Sequence, residues 1–252
     1  MKQFVEYWEK SLPWSFLKEN LSYEEKRCFR YSLQDYMLQA IGFDKYKDKL
    51  VLEIGCGGGI DSAEFGRSGA KIVSTDFTEK GVKLTRDLLR EADVSPNVIR
   101  TALQNLPFPD NLFDCVYAFG VLHHMPEVEY GLREIARVLK IDGEVICMLY
   151  NKNSILYAYS ILFLHKNEGL NEEQLLCRYS ERNLNCPYTK AYTKEEAYRL
   201  FQEQFHDIDV KVFYNVIDLI GKRKFKLDIP DEYNLGWHII IKGRKVGIGE
   251  DR

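Results

Sequence analysis

A chain of 252 residues with 45% hydrophobic side chains can bury one sizeable core, so a single domain with appended regions is expected rather than two independent units. Its 35 Lys and Arg against 38 Asp and Glu leave a formal charge of -3, and so no global basic field to hold DNA or RNA. The six cysteines form no CxxC pair, the histidines show no metal-ligand spacing, and no apolar run approaches the length of a membrane span; together these point to a soluble cytoplasmic protein with reduced thiols and no metal.

Residues 1–48 read as mostly helical and rich in aromatics, among them Tyr7, Trp8, Trp14 and Tyr31. From 49 to 150 short apolar runs alternate with helical patterns, as in parallel strands joined by crossover helices. Strands are expected at 50–54, 71–75, 98–101, 114–118 and 143–150. Helices fall between them at 61–67, 79–92 and 128–139, the second with Val82, Leu84, Leu88 and Leu89 as its buried stripe and the third followed by an Asp142-Gly143 turn. Residues 151–192 form an insertion whose SILYAYSILFL stretch is either a buried helix or a lid over a pocket. Residues 193–252 begin with a helix to 204, capped by Thr193 with Glu196 completing the capping box, and finish with strands at 208–214 and 237–242.

The most informative stretch is Val51-Leu52-Glu53-Ile54-Gly55-Cys56-Gly57-Gly58-Gly59-Ile60-Asp61, a buried strand that stops in glycines before a helix starts. Glycines let the backbone turn sharply there and let a ligand approach the main chain, at the strand ends where doubly wound sheets bind ligands. Asp76 closes the second strand about twenty residues on, where a carboxylate can accept hydrogen bonds from both hydroxyls of a ribose. Nicotinamide enzymes share both features. Here, however, Ile60 stands where the third glycine of G-x-G-x-x-G belongs, and Glu53 would repel a pyrophosphate while attracting an ammonium or a sulfonium.

E-I-G-C-G-x-G, the acidic end of the second strand, L-P-F-P-D-N-x-F-D and the following L-H-H together resemble the class I S-adenosylmethionine-dependent methyltransferases that act on small molecules. The resemblance spans roughly residues 49–150. It implies an α/β, Rossmann-like fold: a seven-stranded, mostly parallel sheet with helices on both faces and the last strand antiparallel. It also implies S-adenosyl-L-methionine as cofactor and S-adenosyl-L-homocysteine as product. Carried over by position, Glu53, Gly55, Cys56 and Gly57 would hold the methionine part, Asp76 the ribose, and Phe77 the adenine face. Ala102, Leu103 and Gln104 would lie at the adenine edge, and Phe119 near the methionine chain. The family usually has an acidic residue where this chain has Ala102, so the contact to the adenine amino group is left to Gln104 or a main-chain carbonyl.

Methyl transfer needs the acceptor held in line and, for some acceptors, a proton removed. His123 and His124 follow the fourth strand and are the candidate bases, His123 slightly favoured, with support of the loop as the alternative role. Asp61 reads as a helix cap, with catalysis as the alternative role, and Asp114 as structural. Tyr7, Trp8, Trp14, Arg30 and Tyr31 are candidates for placing a small-molecule acceptor by stacking or cation–π contact, with Arg27 beside them; core packing is the alternative. Asn185-Cys186-Pro187-Tyr188 reads as a turn, and the basic run Lys222 to Lys226 as a solvated loop. A helical cap over residues 1–48, a binding core over 49–150, a substrate-covering insertion over 151–192 and the rest of the core over 193–252 complete the expected organisation. The acceptor atom is nitrogen, oxygen or carbon, and a homo-oligomer is compatible with the sequence. A non-catalytic S-adenosylmethionine-binding module and a nicotinamide-dependent oxidoreductase are the rival readings.

Overall fold

The computed structural model describes residues 2–12, 21–181, 184–219 and 224–247. Three helices come first: α1 (Lys2–Ser11), α2 (Tyr23–Leu33) and α3 (Tyr36–Ile41). Ser22 accepts the Glu25 amide and Glu25 returns to the Ser22 amide, a capping box that fixes where α2 starts. Gly42 ends α3 in the left-handed region.

The core then alternates as its apolar runs predict: β1 (Leu50–Ile54), α4 (Ile60–Arg67), β2 (Lys71–Asp76), α5 (Glu79–Glu91), β3 (Val98–Arg100), β4 (Phe113–Phe119), α6 (Val128–Val138) and β5 (Leu139–Asn151). The insertion carries a π-helix (Leu156–Phe163) and α7 (Glu172–Tyr179), followed by β6 (Ala191–Tyr192), α8 (Lys194–Phe201), β7 (Phe205–Phe213), a hairpin of β8 (Val216–Asp218) and β9 (Lys224–Lys226), and β10 (His238–Lys245). The sheet runs β3-β2-β1-β4-β5-β10-β7, with β6 added beside the end of β5. β1 to β4 pair in parallel, whereas β10 is antiparallel to both β5 and β7.

Strands buried on both faces explain the unbroken apolar runs, because successive side chains point to opposite sides of the sheet. Val51, Cys115, Tyr117 and Ile146 pack with Phe65 of α4 and Leu89 of α5. Leu52, Val116 and Ile241 pack with Leu132 and Ile135 of α6 and Phe201 of α8. In α5 the buried stripe takes Thr85, whereas Leu84 is only half-buried. The capping box at Thr193 and Glu196 forms as its residue types predict.

Three features depart from the expected pattern. β6 and the β8–β9 hairpin are two and three residues per strand, too short to carry a period. At the start of β5 the register moves from Phe113 opposite Leu139 to Cys115 opposite Glu144, so the Asp142 turn, with its positive φ of 59°, is a bulge in the strand rather than a break before it. Asp61 does not cap α4. The N-cap is Gly59, left-handed at φ 79° and without a side chain to cap with, and the Asp61 carboxylate turns inward to partners described below.

Candidate active site

The carboxyl ends of β1, β2, β4 and β5 open into a cavity of about 1500 Å³, walled on the other side by α1, α2 and the insertion. This exceeds the roughly 300–1,000 Å³ of a pocket for one small ligand. Glu53, Gly55, Cys56, Gly57, Asp76, Phe77, Ala102, Leu103, Gln104 and Phe119 all line it.

The glycine loop is tied down from both sides. The amides of Gly55 and Cys56 donate to the carbonyl of Thr75 at 2.7 and 2.9 Å, and the Gly57 amide donates to Asp76 Oδ2 at 2.9 Å. Among the described residues a Cβ on Gly57 would meet nothing closer than Leu12 at 3.9 Å, so that residue leaves its main chain open to a ligand. Gly59 does the opposite work: a Cβ there would come within 2.8 Å of Thr85 Cα, so the close packing of loop on α5 falls at Gly59, one residue before Ile60.

Asp76 is held by Thr78, whose amide and hydroxyl donate to Oδ1 at 2.8 and 2.6 Å, while the Thr78 hydroxyl accepts the Gly81 amide to cap α5. Burial raises the Asp76 pKa against the pull of these hydrogen bonds. A Cβ on Gly81 would lie 2.7 Å from Asp76 Cγ. Gly81→Ala is therefore expected to weaken cofactor binding about tenfold or more by moving this carboxylate, although alanine favours helix by roughly 1 kcal/mol. Calorimetric titration beside a melting curve checks it; unchanged affinity would mean that Asp76 tolerates displacement.

Glu53 is buried and accepts the Ser62 hydroxyl. Burial, and after it the neighbouring Asp61, pushes its pKa well above the ordinary carboxylate range. Asp61 in turn is the acceptor of a buried network: Arg30 donates to it through Nε at 3.2 Å and Nη2 at 2.9 Å, and the hydroxyls of Tyr31 and Tyr117 donate at 2.9 Å each. Arg30 also donates to Gln34 and lies 4.8 Å from the centre of the Phe119 ring. Arg30 lines the cavity; Tyr31 does not, since its ring is buried with its hydroxyl turned to Asp61. Arg27 is taken up by Glu64, and Asp114 by the Leu50 amide and Lys140.

The two histidines differ. His123 is fully buried, lies tilted against Tyr150 with ring centres 3.8 Å apart and does not line the cavity; among the described residues neither ring nitrogen has a hydrogen-bond partner. Its pKa lies well below the usual histidine value because of burial. His124 does line the cavity, so the slight preference for His123 is reversed by placement. Its Nδ1 lies 3.1 Å from the Tyr188 carbonyl, 3.2 Å from the Thr189 hydroxyl and 3.5 Å from the Cys186 thiol, and its Nε2 faces Glu181 at 3.5 Å. Burial lowers the His124 pKa and Glu181 opposes the shift. Glu181 also accepts the Tyr150 hydroxyl at 2.5 Å, and both line the cavity.

Trp8 lines the cavity with its ring 4.8 Å from that of His124. Tyr7 packs edge-on against Trp8 at 5.1 Å, outside the lining, its phenol pushed upward by burial. Trp14 lies outside the described residues. Sequence reasoning missed Glu181, Tyr150 and His238. Tyr150 and His238 sit opposite each other where β5 ends and β10 begins, and the rule that ligands meet strand ends points to them; Glu181 sits in a loop with no such signal. Among the described residues no three His, Cys, Asp or Glu side chains could hold a metal, and no helix is long and apolar enough to cross a membrane.

A glycine loop at the end of the first strand of a doubly wound sheet, faced by a carboxylate at the end of the second, defines a Rossmann-like cofactor-binding domain. Comparison with known proteins finds likenesses over the core. The methyltransferase-domain family matches residues 52–147. A ubiquinone biosynthesis O-methyltransferase of Alkalilimnicola ehrlichii is 28% identical over 129 residues, 51% of each chain. A ubiquinone/menaquinone biosynthesis C-methyltransferase of Escherichia fergusonii is 34% identical over 111 residues, 42% of this chain and 44% of the relative. The chain thus spans about half the length of these curated relatives. A crystal structure from Pyrococcus horikoshii OT3 shares the fold with a TM-score of 0.64, at 16% identity over 96% of this chain and 99% of that one. These likenesses support a class I S-adenosylmethionine-dependent methyltransferase fold over the matched core, a class whose methyl donor is S-adenosyl-L-methionine and whose product is S-adenosyl-L-homocysteine.

Proposed function

We propose that this chain transfers the methyl group of S-adenosylmethionine to a small-molecule acceptor by in-line displacement. The observation that carries the reading is one cavity lined at its floor by Asp76, the glycine loop and Glu53, and on its wall by His124 and Glu181. When bound, the cofactor supplies a methyl group on a sulfonium, already activated for displacement. Asp76 would accept the ribose hydroxyls, Phe77 and Leu103 would flank the adenine, and Gln104 would offer its side-chain amide where Ala102 lacks a carboxylate. Glu53 would meet the ammonium of the methionine part. Arg30, fixed by Asp61 and Gln34, would meet its carboxylate rather than the acceptor.

His124 takes the acceptor's proton at Nε2, and Glu181 stabilises the imidazolium that results. Such a pair suits an O–H or N–H acceptor. The relatives named for ubiquinone O- and C-methylation support a small molecule, and the net charge of -3 argues against RNA. Incubation with methyl-labelled S-adenosylmethionine and either a metabolite extract or total tRNA tests this. Label is expected in the small-molecule fraction and lost in His124→Gln; label in tRNA would contradict it.

The raised pKa of Glu53 adds a pH dependence. In the free protein Glu53 holds its proton to higher pH than an ordinary carboxyl, and an incoming ammonium favours the ionised form. Binding therefore releases a proton, and affinity should rise as pH rises through the raised pKa and fall below it. Calorimetry in two buffers of different ionisation enthalpy should register the released proton, and Glu53→Gln should register none.

A further inference from the structure

The outer part of the cavity differs in chemistry from its floor. Its walls come from α2, the π-helix and the segments after α7 and β8, and five hydrophobic side chains there both line the cavity and face solvent: Phe29 (38% exposed), Leu33 (41%), Leu164 (40%), Leu184 (47%) and Leu219 (47%). Single exposed hydrophobics are ordinary on a folded chain; five lining one opening from four separate segments form a patch. Two polar ties hold these segments together. The Asp218 amide donates to Ser160 Oγ at 2.8 Å, fixing β8 to the π-helix, and Lys226 Nζ meets Asp35 at 2.6 Å, fixing the β8–β9 hairpin beside the end of α2. The π-helix, LYAYSILF, carries no charge, and its Leu156 and Ile161 continue the apolar wall inward. π-Turns are rare and concentrate at functional sites.

We propose that the acceptor is an amphiphile: its reacting polar head lies inside, beside His124 and Tyr150, and an apolar tail leaves the cavity through the rim of Phe29, Leu33, Leu164, Leu184 and Leu219. The inference deepens the methyl-transfer reading and rests on it for the placement of the head. A cavity of about 1500 Å³ has room for a cofactor and a chain of several carbons. A uniformly polar metabolite would leave this rim wet, whereas each methylene of a tail gains by leaving water there.

The test uses the whole chain, saturated with S-adenosylhomocysteine, and 4-alkylphenols from ethyl to nonyl as probes, with affinity read by calorimetry. The dissociation constant is expected to tighten with each added methylene, up to about fourfold when the group is fully buried, and to level off once the tail passes the rim. The double variant Leu33→Asp with Leu164→Asp changes two exposed side chains, so it should fold. It should flatten the dependence on chain length while binding S-adenosylhomocysteine as the natural chain does. A dissociation constant independent of chain length, or a slope that survives in the double variant, would overturn the proposal. So would a self-association in sedimentation, or binding to phosphatidylcholine vesicles, that the variant abolishes while the natural chain shows no chain-length slope. Failure of S-adenosylhomocysteine to bind the natural chain would instead count against methyl transfer, and a chain-length slope would still stand apart from it.

Discussion

Asp76→Ala is expected to weaken S-adenosylmethionine binding by at least about a hundredfold. Hydrogen bonds to a charged partner contribute roughly 1.5–3 kcal/mol each, and a carboxylate facing a ribose makes two of them. The substitution also removes the acceptor of the Gly57 amide, 2.9 Å away, and so loosens the glycine loop. Asp76→Asn keeps one acceptor oxygen and should fall between. A calorimetric titration of the three proteins decides it: equal affinities would mean that Asp76 serves only Thr78 and the loop.

Asp61→Ala is expected to destabilise the fold by about 3–5 kcal/mol, the usual result of removing one partner from a buried ion pair. At this chain length that corresponds to a fall in Tm of about 10 °C. Arg30 and Asp61 are both almost wholly buried, and the variant would leave a buried guanidinium and two tyrosine hydroxyls, Tyr31 and Tyr117, without their acceptor. Because α2 meets the core through this pair, the loss should also appear in cofactor affinity. Replacing both partners, Arg30→Met with Asp61→Leu, should recover part of the stability but not the affinity. A melting temperature close to that of the natural chain for Asp61→Ala would contradict the network.

The central sheet is legible in the sequence because its strands are buried on both faces and its crossover helices have clear periods. β1 falls on the expected residues, and the box at Thr193 starts α8 where expected. The glycine loop and Asp76 are legible for a related reason: the local chain geometry itself calls for those residue types. What was not legible depends on distant partners. Asp61 reads locally as a cap, yet its partners Arg30, Tyr31 and Tyr117 lie 30 to 56 residues away. His123 and His124 are neighbours in sequence, and only the short 3₁₀ turn Leu122–His124 decides that one ring packs on Tyr150 while the other opens to the cavity. Glu181 gains its place from Tyr150 and His124, both distant from it along the chain.

The most direct measurement is calorimetric titration of the whole chain with S-adenosylmethionine and S-adenosylhomocysteine, with a nicotinamide dinucleotide as the control. Binding of both sulfur nucleotides at one site per chain, with no heat from the nicotinamide ligand, is the expected result. Binding of the nicotinamide nucleotide and of neither sulfur compound would contradict it and return the cavity to oxidoreductase chemistry.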